Sequence, residues 1–185
     1  MNAKALLTVL FALAASFGIN WPAFSQQSPP QSDKASQIVA LVENAAALIA
    51  SKGKTVFPEL RKSSSSLLGA NTSLLFVDDK NQTSMEAFHY HLSATCLFVG
   101  DMKGVLLLNP GFPRMEGVKT LDITDSNGKR IYVAFMQMVQ SNGSGWIDYM
   151  WPKLHEDKPS QKWTYVKAIT VDGAPAYIGA GFYPQ

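Results

Sequence analysis

The sequence predicts an α+β domain, in which one long helix precedes a mainly antiparallel sheet that a second helix interrupts. Apolar residues recur at helical spacing between residues 38 and 49, which predicts a helix packed on one face. From residue 95 onward, short apolar runs alternate with turn residues, which predicts strands.

The first helix is predicted to begin at Ser32 or Asp33, because either side chain can cap it, and to end near Gly53. Its apolar positions lie three and four residues apart: Ile38, Leu41, Val42, Ala45, Leu48 and Ile49. We expect this face to pack against the sheet. The same face could alternatively form the seam of a homodimer.

The remaining elements are assigned from turn signals and from the spacing of apolar residues. They are a shorter helical or irregular segment at 55–68, a hairpin of 96–99 and 105–108, an irregular stretch at 109–113, a turn at 125–129, a helix at 131–140, and strands at 145–152, 163–171 and 177–183. Gly179 and Gly181 share one face of the last strand, which predicts close packing against its backbone.

The strands at 145–152 and 163–171 carry aromatic residues on both faces. Alternation places Tyr149 and Trp151 on one face of the first, and Lys167 with Trp163 and Tyr165 on one face of the second. A strand exposed to water on one side rarely needs aromatics on both. We therefore expect a sheet covered on both faces, with an apolar small-molecule pocket that admits a few polar groups.

The N-terminus predicts export of the chain. Residues 1–25 read as a signal peptide, 26–34 as a disordered leader and 35–185 as a single domain. The apolar run of roughly 15 residues is shorter than the ~20 residues that span a bilayer, which argues against the alternative of an uncleaved anchor. We expect a periplasmic or secreted protein with no membrane insertion of the mature chain.

Charge and motif content exclude several classes of function. Without residues 1–25 the chain carries 15 basic and 14 acidic residues, which argues against nucleic acid as a partner. The only cysteine, Cys96, rules out an intramolecular disulfide and is predicted to be a buried small residue.

His89 and His91 would share a face if extended, but no third ligand accompanies them, so neither metal nor cofactor is predicted. Nucleophile-elbow and dinucleotide motifs are absent, so no catalytic residue is assigned and an enzyme is not expected.

Six blocks of sequence occur in the order typical of one family. They are 95–104, 109–117, 125–129, 143–152, 165–167 and 179–183. Together they resemble the single Cache domain (the sCache_2 type), the extracytoplasmic sensor module of bacterial chemoreceptors and histidine kinases. The resemblance implies a PAS-like fold, with a long N-terminal helix on a five- or six-stranded antiparallel sheet and a pocket for short carboxylates on the other face. The sequence departs from the family pattern at Cys96, Asn109 and Leu154, where the family usually has tyrosine, histidine and proline, respectively. No signalling domain follows residue 183, so a free-standing member is expected.

The candidate ligand-binding residues combine this resemblance with side-chain chemistry. They are Tyr149, Trp151, Lys167 and Asn109, followed by His91 and Lys162 as weaker candidates. Lys167 is the expected partner of a ligand carboxylate, while Asp148 or Asp122 could neutralise it instead.

The predicted function is therefore a sensor-type domain that binds a short-chain organic acid and passes its ligand state to a partner, such as a membrane sensor. One alternative is a protein-interaction or dimerisation module with a vestigial pocket. A second is a small hydrolase, which would require Ser, His and an acid to converge.

Overall fold

A computed structural model describes residues 28–62, 97–153 and 156–184. Within these ranges the helices are α1 (Asp33–Lys52), α2 (Phe57–Lys62) and α3 (Ile131–Asn142), and the strands are β1 (Phe98–Asp101), β2 (Leu106–Leu108), β3 (Ser144–Pro152), β4 (Pro159–Val171) and β5 (Ala174–Phe182). Short 3-10 turns occupy Gly53–Val56 and Pro113–Met115. The strands form one antiparallel sheet in the order β2-β1-β5-β4-β3.

Helix α1 covers one face of the sheet, across β4 and β5. Ser32 caps its start, where the side-chain oxygen accepts a hydrogen bond from the Ala35 N–H at 3.2 Å. Gly53 ends it with a positive φ of 58°, a conformation that glycine adopts readily. The predicted apolar face is confirmed, since five of its six residues are buried and Leu48 packs at the margin.

The sheet separates two hydrophobic cores, which confirms that both of its faces are covered. The core under α1 includes Trp163 of β4 and Phe182 of β5, together with the buried face of α1. The opposite core includes Tyr149 of β3 and Phe135 of α3. Alternate residues of each strand therefore enter different cores, as the two-residue period of a strand requires.

Helix α3 packs on the face opposite α1. The predicted helix at 131–140 is confirmed, and its stripe of Ile131, Phe135, Met138 and Val139 is buried. Met138 packs so closely on β3 that a Cβ at Gly145 would overlap its sulfur atom. This approach of helix to strand leaves Tyr149 directly under Phe135, with ring centroids 5.6 Å apart.

The boundaries of two predicted segments are corrected. Asp33 and Lys34 were assigned to a disordered leader, but both belong to α1, because Ser32 provides the cap one residue earlier. Strand β4 begins at Pro159 rather than at residue 163, so it is four residues longer at its start than predicted. The predicted signal peptide and the segments at 63–96, including Cys96, lie outside the described residues.

Candidate functional site

A small cavity lies between the sheet and α3, on the face opposite α1. Its volume is about 30 Å³, room for roughly two water molecules at the 10–15 Å³ that one requires. The sheet contributes its floor, α3 one side and the segment after β2 the other. The lining residues are Phe98, Asn109, Phe112, Met115, Ile131, Tyr132, Phe135, Tyr149, Trp151 and Lys162.

Lys162 is the charged residue of this lining. It lies inside β4, directly opposite Tyr149 of β3, and only 3% of its surface is exposed. Its Nζ atom lies 5.1 Å from the centroid of the Tyr183 ring, a cation–π distance. Among the described residues, no carboxylate lies within ion-pair distance of this ammonium. A buried cation without a neighbouring anion is costly to hold in a folded protein.

Glycine makes room for the lysine stem. A Cβ at Gly181 would overlap Thr164 Oγ1 and would lie 3.0 Å from Lys162 Cε. The predicted close packing at Gly179 and Gly181 is thus confirmed, since the ring of Phe98 occupies the corresponding space beside Gly179. Neither position accepts a larger residue without displacement of a side chain at the cavity.

Asn109 closes the cavity from the segment that follows β2. It is buried, and its Oδ1 accepts a hydrogen bond from the Phe112 N–H at 3.0 Å. The side-chain oxygen thus accepts a hydrogen bond from the protein, and the amide N–H₂ is a donor group of the lining. Asn109 and Lys162 thus both offer donors to the same small space.

Tyr149 and Trp151 form the aromatic floor, as alternation predicted. The Tyr149 hydroxyl lies 3.0 Å from Thr164 Oγ1, and the rings of Tyr149 and Trp151 meet edge to face at 6.1 Å between centroids. Phe135 lies at the centre of the cluster, with Phe98 stacked on it at 5.3 Å. These contacts hold the floor rigidly, so the apolar part of the site is preformed.

Comparison with known proteins identifies the family. The Cache domain model dCache_2 matches residues 76–185, which is more than half of the chain. The chain belongs to the Cache domain family. The recognition of a Cache domain from sequence is thereby confirmed, although the matching model is dCache_2 rather than the expected sCache_2.

Solved structures share the fold of this Cache domain. A periplasmic sensor domain of a chemotaxis protein is 23% identical with a TM-score of 0.51, and the match covers 81% of this chain and 94% of that one. A Cache chemosensory domain, studied for its recognition of carboxylic acids, is 19% identical with a TM-score of 0.53, covering 82% and 94%. The predicted α+β Cache fold is confirmed. Cache domains are sensor and ligand-binding modules.

Lys167 lies on the other face of this Cache domain, which corrects the prediction that it borders the same pocket as Tyr149. It shares a face with Trp163 and Tyr165, as expected, but that face is the one under α1. Its Nζ atom pairs with Glu43 Oε2 of α1 at 2.6 Å. Five positions separate Lys162 from Lys167 on one strand, so the two lysines point to opposite faces. The carboxylate that neutralises Lys167 belongs to the protein itself.

Hydrogen bonds from the turn at 125–129 hold the edge strand β3 beside the cavity. Asp125 Oδ2 accepts the Met150 N–H at 3.0 Å, while Oδ1 accepts the N–H groups of Asn127 and Lys129. Burial acts to raise the pKa of Asp125, but these hydrogen bonds outweigh it and hold the pKa below its usual range. Lys129 Nζ donates to the Asp148 carbonyl oxygen at 2.5 Å, which adds a second contact to the same strand.

Other candidates fall partly outside the described residues. His91, together with His89 and His155, lies outside them. In the described part of the chain, no group of three or more His, Cys, Asp or Glu side chains is placed to hold a metal. No helix described in the structure has both the length and the hydropathy needed to cross a bilayer. Lys162, expected to be a weaker candidate, lies inside β4 rather than just before it, because the strand begins at Pro159.

Proposed function

We propose that this Cache domain is an extracytoplasmic sensor module that binds a short-chain organic acid and passes its ligand state to a partner protein. One observation carries the proposal: Lys162 is buried at the cavity, and no anion of the described residues neutralises it. The carboxylate of a ligand would supply that anion. Binding would then offset the desolvation cost of the buried ammonium.

The chemistry of the lining supports an acid over a cation or a neutral ligand. Asn109 offers a second donor, and no Asp or Glu is among the described residues that line the cavity. The rest of the lining is aromatic or aliphatic, which suits a short hydrocarbon chain. The small volume of about 30 Å³ favours the shortest acids over longer ones.

The relatives support the same chemistry by analogy. One of the similar structures is a Cache chemosensory domain studied for carboxylic acid recognition. At 19% identity it shares the fold with this chain, so the ligand class is carried by Lys162 and its surroundings rather than by the likeness.

A thermal-shift screen tests the proposal. The panel contains acetate, propionate, lactate, pyruvate and succinate, with propanamide as a neutral control of the same shape as propionate. A ligand at 100 times its Kd stabilises by about 2.7 kcal/mol, which corresponds to roughly 5–10 °C in Tm for a domain of this size. We expect a shift with a two- or three-carbon acid and none with propanamide. A folded protein that no acid stabilises would contradict the proposal.

We further propose that residues 1–25 are removed on export to the periplasm, and that the exported domain is of the single-module (sCache_2) type and reports to a membrane sensor protein. The six ordered sequence blocks between residues 95 and 183 support the single-module form. The mass of the protein recovered from the periplasmic fraction checks the export step, with Gln26 expected as its first residue. A protein retained at its full mass of 20.2 kDa would contradict cleavage.

The small cavity favours the alternative of a protein-interaction module, but the buried apolar face of α1 does not. Ile38 and Leu41 belong to the helix face that could have formed a homodimer seam, and both are buried against the sheet. A homodimer through α1 would need other residues of that helix. Light scattering on the purified protein, with and without the acid that binds best, distinguishes a ligand-independent dimer from a ligand-responsive module.

A further inference from the structure

An ion pair crosses the β2 edge of the sheet and reaches the wall of the cavity. Arg61 of α2 donates from Nη2 to Glu116 Oε2 at 2.5 Å. The other oxygen of Glu116, Oε1, accepts the Asn109 N–H at 2.9 Å. One carboxylate therefore holds a cavity residue and a helix residue at the same time.

The two ends of this connection belong to different layers. Phe57 and Leu60 anchor α2 in the core under α1. The segment from Asn109 to Glu116 instead lines the cavity on the opposite face, through Asn109, Phe112 and Met115. Arg61 is thus a link between the helical layer and the cavity wall that does not pass through the sheet.

We propose that Arg61 is a positioning residue of the cavity, and that it couples ligand binding to the docking of α2. The inference rests on the proposed function, because it concerns regulation of the same site. Arg61 hydrogen-bonds to Glu116, and Glu116 accepts the backbone N–H of Asn109, so Arg61 acts on the cavity through Glu116.

The geometry explains why the coupling would run in both directions. Without the guanidinium, the half-buried Glu116 carboxylate loses its charged partner and is free to rotate away from the Asn109 N–H. The cavity wall then has to be ordered when a ligand binds, which weakens binding. By linkage, a ligand that orders this wall favours the docked position of α2 to the same degree.

Acid affinity measured by isothermal titration tests the claim. The acid is the panel member that stabilises the parent most, and the variants are Arg61→Gln, Glu116→Gln and the double variant. Because the pair is partly exposed, we expect each single change to weaken binding about fivefold. The double variant should also lose about fivefold, rather than the roughly 25-fold of two independent effects.

Lys52→Gln provides a matched control. Lys52 also joins the N-terminal helices through an ion pair, to Glu59 at 3.3 Å, but neither partner contacts the cavity wall. We expect its affinity to stay within twofold of the parent. Arg61→Lys, which keeps the charge but not the fork of donors, should restore part of the affinity that Arg61→Gln loses.

Hydrogen exchange provides a readout that a purely structural role of Arg61 would not change. In the parent, the acid should slow exchange of the α2 amides, and Arg61→Gln should abolish that ligand-dependent protection. The inference would be overturned if the Arg61→Gln and Lys52→Gln variants bound the acid equally well and the acid still slowed exchange of the α2 amides in Arg61→Gln. The proposed function would remain intact. If the parent binds no acid, the proposed function has failed. The positioning role is then decided by the Phe112 amide: faster exchange in Arg61→Gln than in Lys52→Gln supports it, and equal exchange overturns it.

Discussion

Replacement of Lys162 by methionine separates the charge at the cavity from the packing around it. Methionine has a similar length and fills the space beside Gly181, but carries no charge. We expect the variant to lose acid binding while it keeps the fold. The perturbation therefore tests whether the buried ammonium is the group that recognises the ligand.

The expected size of the effect follows from the burial of Lys162, whose surface is 3% exposed. Truncation of one partner of a buried charge pair costs about 2–5 kcal/mol of binding energy. The lower part of that range corresponds to roughly a 30- to 150-fold increase in Kd. In the absence of ligand, the variant should be as stable as the parent or about 1 kcal/mol more stable, since an unneutralised buried cation has been removed.

Lys167→Met is the matched control, because it removes the same group from the same strand on the opposite face. The Lys167–Glu43 ion pair is partly exposed. Its loss in Lys167→Met should therefore change the free energy of unfolding by less than about 1 kcal/mol and the acid affinity by less than twofold. Titration calorimetry gives the affinities and urea denaturation the stabilities. Acid binding that survives in Lys162→Met and fails in Lys167→Met would refute the assignment of the site.

Two further predictions concern the supports of the cavity. Gly181→Ala should destabilise the protein by about 1–3 kcal/mol, because its Cβ would overlap Thr164 Oγ1; a variant with unchanged urea midpoint would show that the packing is looser than described. Asp125→Asn should cost about 1–3 kcal/mol at pH 7, since the side chain would no longer accept the Met150 N–H. The pKa of Asp125 is lowered in the folded protein, so its contribution is present above the unfolded value of about 3.9 and is lost as the pH falls through the folded value. The stability difference between parent and Asp125→Asn should accordingly shrink below about pH 4, and a difference that grows there would contradict the assigned role.

The sequence predicted the elements whose signals are local. The spacing of Ile38, Leu41 and Ile49 predicted α1 and its buried face, and the two capping candidates, Ser32 and Asp33, predicted its start, which Ser32 caps. The turn at 125–129 and the helix after it were predicted for the same reason: turn chemistry and a 3.6-residue period are visible within a few residues. The Cache family was recognised from the order of its blocks.

The lysine of the cavity could not be chosen from local patterns alone. Lys162 and Lys167 both lie on β4, and alternation shows only that they face opposite ways. Which face holds the cavity depends on the placement of α1, whose Glu43 lies 124 positions from Lys167 in the chain. The pairing of Tyr149 with Lys162 depends on the length of the β3–β4 connection, which a polar, proline-containing stretch does not specify. The link from Arg61 to Glu116 is likewise a product of tertiary packing.

A crystal structure of the domain with the acid that stabilises it most shows directly whether Lys162 binds the ligand. We expect density in the cavity between α3 and the sheet, with a carboxylate oxygen about 2.7–3.2 Å from Lys162 Nζ and the Asn109 amide beside it. An acid bound instead under α1 beside Lys167, or a Lys162 ammonium turned away from the ligand, would contradict it.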